Sequence, residues 1–347
     1  MKRLIITIIV RLKILSLWRY WNRKSITILM VHGVADQHTS ASWAPLWVRP
    51  TLEKFEFSLK QISKYYDFIS LDDAVRILDG SSPPVENAVV LTFDDGYRNN
   101  FSEALPLLEQ LGIPATFFVA TGYVETGRSY WIDRLDYALQ QAPDESRLLR
   151  YQGHEYDLRN LGREQLINGY RELRLNIKRN EQDDEGMIRA LDEFCGALES
   201  SSGVTIDTII NTDPFVSIAS WAEQSAACKG GATIGSHSVD HCRLTSIPKS
   251  DIDEQLIDSK DEIEEKLGNC CQFFCYPNGS FNEDVLERVR KTGYRAAVTT
   301  VRGLNRVGDD LYALKRFAMP MLENEQDILL GISGVLESRL VRAILKA

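Results

Sequence analysis

The chain has 347 residues, 44% of them hydrophobic and 26% charged, with 40 basic against 49 acidic side chains and a formal charge of −9. That balance excludes a disordered chain and leaves room for one large α/β domain or two modest ones. An acidic protein of this kind is a poor non-specific nucleic-acid binder, and no nucleic-acid partner is expected.

Residues 1–35 depart from the average. They hold Lys2, Arg3, Arg11, Lys13, Arg19, Arg23 and Lys24 and no carboxylate. Arg11 and Lys13 interrupt the apolar run well short of the roughly 20 residues that a bilayer crossing needs. The short apolar stretch Leu4–Val10 lacks a small-x-small cleavage site after it, so it reads poorly as a signal peptide. Two readings of residues 1–25 stand side by side. They can lie on an anionic membrane surface as a peripheral contact, or form a helix packed on its own domain. A cytoplasmic or inner-membrane peripheral location is favoured, with the cell envelope or secretion as the alternative.

Ile26–Val31 is a buried-strand run ending at His32-Gly33. Leu52, Phe55, Leu59 and Ile62 share a helical face within 51–66, and a second helix runs over Leu71–Leu78 after Ser70. Ala88–Phe93 reads as a buried strand stopped by Asp94-Asp95-Gly96. A helix over Asn99–Leu111 and a strand over Ala115–Ala120 complete a βαβ unit, which requires a partly parallel sheet. Residues 126–216 are polar and helical in pattern, for example 130–141, 163–180 and 185–198, and read as a helical insertion. Strand–helix alternation returns with a helix over Ser217–Lys229, a strand over Ala232–Gly235, a helix over Lys249–Leu267, a strand over Gln272–Tyr276, a helix over Asn282–Thr292 and a strand over Arg295–Thr300. An amphipathic helix is expected over Glu325–Leu345. The domain proper then spans 26–320, and 321–347 is a C-terminal helix.

The six cysteines, Cys195, Cys228, Cys242, Cys270, Cys271 and Cys275, contain no C-x-x-C pair and read as buried free thiols in a reducing compartment. Cys242 directly follows a candidate metal ligand.

Parallel α/β folds place their sites at the carboxyl ends of strands, and polar residues recur there. His32 follows the first strand, Asp94 and Asp95 the next, His237 and His241 the short strand before Ser236, and Pro277-Asn278-Gly279 the strand after them. The i, i+4 histidines would share one face of a helical turn. Two imidazoles and one carboxylate leave open positions for water and substrate, while a second carboxylate can take a proton. Alone, Asp-Asp-Gly is an ordinary turn.

Thr92-Phe93-Asp94-Asp95-Gly96 and Gly235-Ser236-His237-Ser238-Val239-Asp240-His241 resemble the first two motifs of the polysaccharide deacetylases with a NodB homology domain, carbohydrate esterase family 4. Phe273-Phe274-Cys275-Tyr276-Pro277-Asn278-Gly279 resembles the third. Ile28–His32 and Leu314-Lys315-Arg316-Phe317 resemble an opening strand and a late arginine motif of the branch that includes the poly-β-1,6-N-acetylglucosamine deacetylases. The resemblance covers roughly residues 26–320. It implies an α/β fold, an irregular (β/α) barrel, acting on an N-acetylated carbohydrate. It further implies a divalent metal on Asp95, His237 and His241, zinc by ligand set with cobalt or nickel as alternatives. Asp94 would be the base, His32 the acid, and a backbone N–H near Asn278 the oxyanion donor. Tyr276 and Pro277 of the third motif and Trp221 are candidates for contacting the sugar, with a place in the core as the alternative for Trp221. In many relatives the third motif carries an arginine that holds the base. Cys275 stands there instead, and Arg316 is the candidate to supply that charge. An aromatic is usual where Asn278 stands. Hydrolysis of another amide C–N bond, or a sugar-binding relative with little turnover, are the competing readings.

Overall fold

The computed structural model describes residues 14–35, 43–47, 49–338 and 341. Among the described residues, eight strands form one sheet: β1 (Thr27–Val31), β2 (Asp67–Phe68), β3 (Ala88–Phe93), β4 (Ala115–Val119), β7 (Thr233–Ser236), β8 (Phe273–Cys275), β9 (Ala296–Val298) and β10 (Phe317–Ala318). Its main path runs β10-β1-β3-β4-β7-β8-β9, with β2 beside the start of β3, and every pairing is parallel. The two edges nearly meet. Leu314 bridges to Val298 of β9, and Phe317 of the same segment pairs with Leu29 of β1. The sheet is thus a curled, irregular barrel.

The strands alternate between two apolar layers, as a period of two requires. Ile28, Val90, Phe118, Phe273, Val298 and Leu314 meet in one cluster inside the curl. Leu29, Val89, Leu91, Phe93, Phe117, Phe274 and Phe317 belong to the other, against the outer helices. Among these helices are α2 (Leu52–Ser63), which buries Phe55, Leu59 and Ile62, α8 (Trp221–Lys229) and α9 (Lys249–Leu267). Helix α3 (Leu71–Leu78) contributes Leu71, Ala74, Val75, Ile77 and Leu78 to the inner cluster. Ser70, Ser220 and Asn282 cap the N-termini of α3, α8 and α10 (Glu283–Lys291).

Between β4 and β7 lie α5 (Trp131–Gln141), a hairpin β5–β6 (Leu148–Tyr151, His154–Asp157), α6 (Arg163–Asn180) and α7 (Asp184–Ser202). They share a core of their own that includes Leu135, Leu139, Leu173, Leu191 and Leu198. The hairpin is an addition to the helical pattern expected here. Its signal is the alternation of Leu149 and Tyr151 with Tyr156 around Gln152-Gly153, both residues at positive φ.

Two expected helices are broken. The run 99–111 is a π-helical turn, Asn100–Ala104, followed by α4, Leu105–Leu111. Pro106 has no N–H to continue the ladder, so the turn before it widens. The C-terminal helix α11 spans only Glu325–Ile332, because Gly334 turns left-handed at φ 71° and a short 3₁₀ turn follows. Leu340 and Ile344 lie outside the described residues. Helix α1 (Ile14–Trp21) sets Ile14, Leu15 and Trp18 against Leu330 and Val335, and Trp18 Nε1 donates to the Ser333 carbonyl at 2.9 Å. Leu17, Tyr20 and Trp21 remain exposed. Among the described residues no helix is long and apolar enough to cross a membrane.

Candidate metal-binding active site

The inward parity of the strands carries past their ends. Thr92 and Asp94 continue the series of Val90, Cys275 that of Phe273, and Arg316 that of Leu314. Chain segments far apart therefore converge over the barrel's carboxyl end. Asp94 is fixed by its own N–H, which donates to the Val31 carbonyl at 2.8 Å, and His237 by its N–H on the Val119 carbonyl at 2.9 Å.

Asp95 Oδ1 lies 3.5 Å from His237 Nε2 and 3.3 Å from His241 Nε2, and all three side chains are buried or nearly so. His237 Nδ1 bonds the Cys275 carbonyl at 2.7 Å. A donor at Nδ1 leaves the lone pair of Nε2 facing Asp95. Four ligands at about 2.0–2.1 Å around a tetrahedral ion stand about 3.4 Å apart, so the observed spacings fit one small divalent ion. Burial pushes the Asp95 carboxyl up, but the two imidazoles beside it outweigh that and hold it well below the usual range.

The histidines do not share a helical turn as their spacing predicts. They follow β7 in an irregular loop where Ser238 and His241 have φ of 64° and 53°. These left-handed residues fold the loop back on itself. Asp95 (φ 73°) and Asn278 (φ 55°) are left-handed too. Such conformations cost on the order of 1 kcal/mol or more each and concentrate where function holds them. The Tyr130 hydroxyl secures the turn at Asp95 by donating to its carbonyl at 2.7 Å. Gly96 (φ 71°) follows, where a Cβ would meet Val119 at 3.0 Å.

Arg316 sits under Asp94. Its Nη1 and Nη2 donate to Asp94 Oδ1 and Oδ2 at 2.7 and 2.8 Å, Nη1 also to Thr92 Oγ1 at 3.0 Å, Nε to the Thr299 carbonyl at 2.8 Å, and Nη2 to Cys275 Sγ at 3.1 Å. A guanidinium has five N–H donors, and each has a partner. Burial raises the Asp94 carboxyl, yet the guanidinium against it leaves the net shift downward. His32 Nε2 stands 4.0 Å from Asp94 Oδ2, its ring 5.5 Å from that of Trp47.

These groups open into a cavity of about 210 Å³ lined by His32, Trp47, Asp94, Asp95, Tyr130, Trp131, Ile132, Arg174, Lys178, His237, His241, Tyr276, Asn278 and Thr300. Sequence reasoning missed Trp47, Trp131, Arg174 and Lys178, which belong to a loop and to the insertion and carry no motif. Trp221 and Pro277 do not line the cavity. Trp221 is buried in the outer core at the start of α8, and Pro277 is buried beneath the Asn278 turn. Cys242 is also part of that core, its thiol pushed up to about 12 by burial. Cys275 is the cysteine at the site. All six thiols are free; Cys270 is exposed rather than buried and Cys228 is half-buried.

The family profile for polysaccharide deacetylase matches residues 81–189 and 204–297, more than half of the chain. YxkH of Bacillus subtilis (strain 168), itself assigned as a polysaccharide deacetylase, is 22% identical over 292 residues, covering 84% of this chain and 70% of that protein. The poly-β-1,6-N-acetyl-D-glucosamine N-deacetylase of Escherichia coli (strain K12) is 26% identical over 106 residues, 30% of this chain and 15% of that one. The fold resembles the Streptococcus pyogenes deacetylase PplD in complex with acetate, with a TM-score of 0.57 at 17% identity over 89% of this chain and 98% of that chain. It also resembles IcaB from Ammonifex degensii, with a TM-score of 0.55 at 16% identity over 91% and 98%. With its motifs on one barrel end and the profile spanning most of that barrel, this chain belongs to the polysaccharide deacetylase family of hydrolases.

Proposed function

We propose that this protein hydrolyses the N-acetyl group of N-acetylated sugars in a polysaccharide or glycoconjugate, with one divalent ion held by Asp95, His237 and His241. The observation that carries the reading is Asp95 Oδ1 set between two imidazole nitrogens, beside a second carboxylate locked by Arg316. The bound ion would polarise the acetyl carbonyl and lower the pKa of its water. Asp94 then accepts the proton of the attacking water at the carboxylate that Arg316 orients. Arg316 keeps that carboxylate ionised and fixes its direction, at some cost in basicity. His32 faces the same carboxylate and delivers a proton to the departing nitrogen, which leaves as an amine while the acyl group leaves as acetate. The backbone at Asn278 supplies an N–H towards the developing oxyanion. Zinc suits two imidazoles and a carboxylate, and cobalt or nickel would bind the same donors.

Metal-loaded protein should release acetate from oligomers of N-acetylglucosamine. His237→Ala should abolish both that release and stoichiometric metal uptake. A variant with full activity would overturn the reading.

A further inference from the structure

One wall of the cavity has no role in the chemistry above. Arg174 and Lys178 stand one turn apart on α6, so both reach the same side. Arg174 lies over the Trp47 ring at 5.5 Å, and Lys178 Nζ over the Trp131 ring at 5.2 Å while donating to Asn278 Oδ1. Among the described residues neither cation has a carboxylate within ion-pair distance, although the protein forms such pairs widely elsewhere. Arg174 Nε is buried with no hydrogen-bond partner. A partly buried cation without a carboxylate in direct contact is unfavourable, and this pair stands beside histidines that face a proposed metal position. The catalytic carboxylates make no direct ion pair with them, because Asp94 is bound by Arg316 and Asp95 by the two imidazoles; Asp95 and Asp184 act on Lys178, and Asp133 on Arg174, only at longer range. A neutral sugar calls for aromatic faces and hydroxyl partners rather than cations, whereas here the two cations stand over the rings of Trp47 and Trp131. Two unpaired cations add affinity for an oxyanion, the Arg as a planar fork and the Lys as a point charge.

We infer that Arg174 and Lys178 form an anion subsite beside the deacetylation centre, and that the substrate is an acidic glycan or glycoconjugate bearing a carboxylate or phosphate close to its N-acetyl group. This rests on the deacetylase reading above and narrows its substrate class. The anion sits on the substrate rather than on the reaction's own oxyanion, so the subsite acts in binding, and removing it raises KM for acidic substrates in particular.

The test is a ratio of affinities, measured by calorimetry on the metal-loaded full chain, with kcat on the same substrates followed separately. One pair of probes is a tetrasaccharide alternating N-acetylglucosamine with glucuronate against the neutral tetramer of N-acetylglucosamine. The second is N-acetylglucosamine 1-phosphate against N-acetylglucosamine. At least one acidic probe should bind about tenfold tighter or more than its neutral partner. Sodium chloride raised from about 0.05 to about 0.5 M should shrink that ratio. Which pair shows the preference tells carboxylate from phosphate. Arg174→Gln with Lys178→Gln should bring the ratio to within about twofold, and Arg174→Lys with Lys178→Arg should keep most of it. If the double glutamine variant does not fold, Lys178→Gln alone should lose a substantial part. Equal affinity for both pairs in the wild type, or a ratio that survives the glutamine variants, overturns the subsite. So does a loss confined to kcat and equal on acidic and neutral substrates, which would place the cations in the chemistry instead. Acetate release from the neutral tetramer separately reports on the deacetylase reading.

Discussion

Replacing Arg316 by Met should be among the most damaging single changes in this barrel. The Asp94 side chain is 3% exposed and its two oxygens accept from the one guanidinium. Without it, the buried carboxylate keeps, among the described residues, the more distant His32 as its one ion-pair partner. Removing one member of a buried pair costs about 3–5 kcal/mol, because the other charge stays desolvated. The Thr299 carbonyl and Thr92 Oγ1 lose a donor as well. Against a total stability of about 5–15 kcal/mol, that is a large share. At about 2 °C per kcal/mol for a chain of this size, the melting temperature should fall by about 6 °C or more. Asp94→Asn alone should also destabilise, since it strands the guanidinium. The double variant removes both charges, so its loss should be smaller than the sum of the single losses by about 2 kcal/mol or more. Urea unfolding followed by circular dichroism gives all three values, and acetate release should be negligible in each variant. Arg316→Met within about 1 kcal/mol of wild type, or strict additivity in the cycle, would refute the idea that this pair holds the base in place.

Asp95→Ala and His241→Ala should bind no stoichiometric metal by elemental analysis while keeping the wild-type circular dichroism spectrum, and chelation of the wild type should remove activity that zinc, cobalt or nickel restores. His32→Gln should lower kcat about 100-fold on an acetamide sugar, and much less on an aryl acetate, whose leaving group needs no proton; equal losses would exclude the acid role. Burial lifts the Asp136 carboxyl to about 7 even though Gln140 and the Trp47 and Leu46 N–H groups pull it down. A raised folded-state value means that the proton's stabilisation is complete below about 3.8 and lost as pH rises through about 7. Between about pH 5 and about pH 8, Asp136→Asn should therefore gain stability relative to wild type in urea titrations, and a gap independent of pH would count against this. Exchanging exposed Leu17, Tyr20 and Trp21 for Ser should reduce sedimentation with anionic vesicles if α1 meets a membrane surface; unchanged sedimentation removes that role.

Strand ends were legible because β-branched runs stop at polar residues, and the period of two already puts Thr92 with Asp94 on one face. The two left-handed residues in the His237–His241 loop were not legible, since spacing alone favours a helical turn. The cavity wall was also hidden. Trp47 is held there by Asp136, whose Oδ2 accepts from the Leu46 N–H at 2.7 Å and the Trp47 N–H at 3.3 Å, while Arg49 reaches Asp133 at 3.4 Å. These are tertiary contacts between a loop and α5 some ninety positions apart, with no local pattern to announce them. Arg174 and Lys178 fall in the polar helical stretch 163–180 and carry no motif, and the packing of α6 over the barrel mouth turns them inward.

The exchange of an arginine for Cys275 is consistent with the same geometry. Strands β8 and β10 flank β9 at the closing edge of the barrel, and Cys275 and Arg316 both follow inward positions. A long cation from either strand reaches the carboxylate at the end of β3. Two cations there would oppose one carboxylate and each other in a space that excludes water. Cys275 is small, and burial pushes its thiol up so that it stays neutral. Its sulfur accepts from Arg316 Nη2 and so occupies the seat beside the guanidinium without adding charge. Asp94, the proposed base, thus has its counter-charge from Arg316, and what the proposed chemistry requires is a guanidinium at Asp94, not an arginine at one place in the chain.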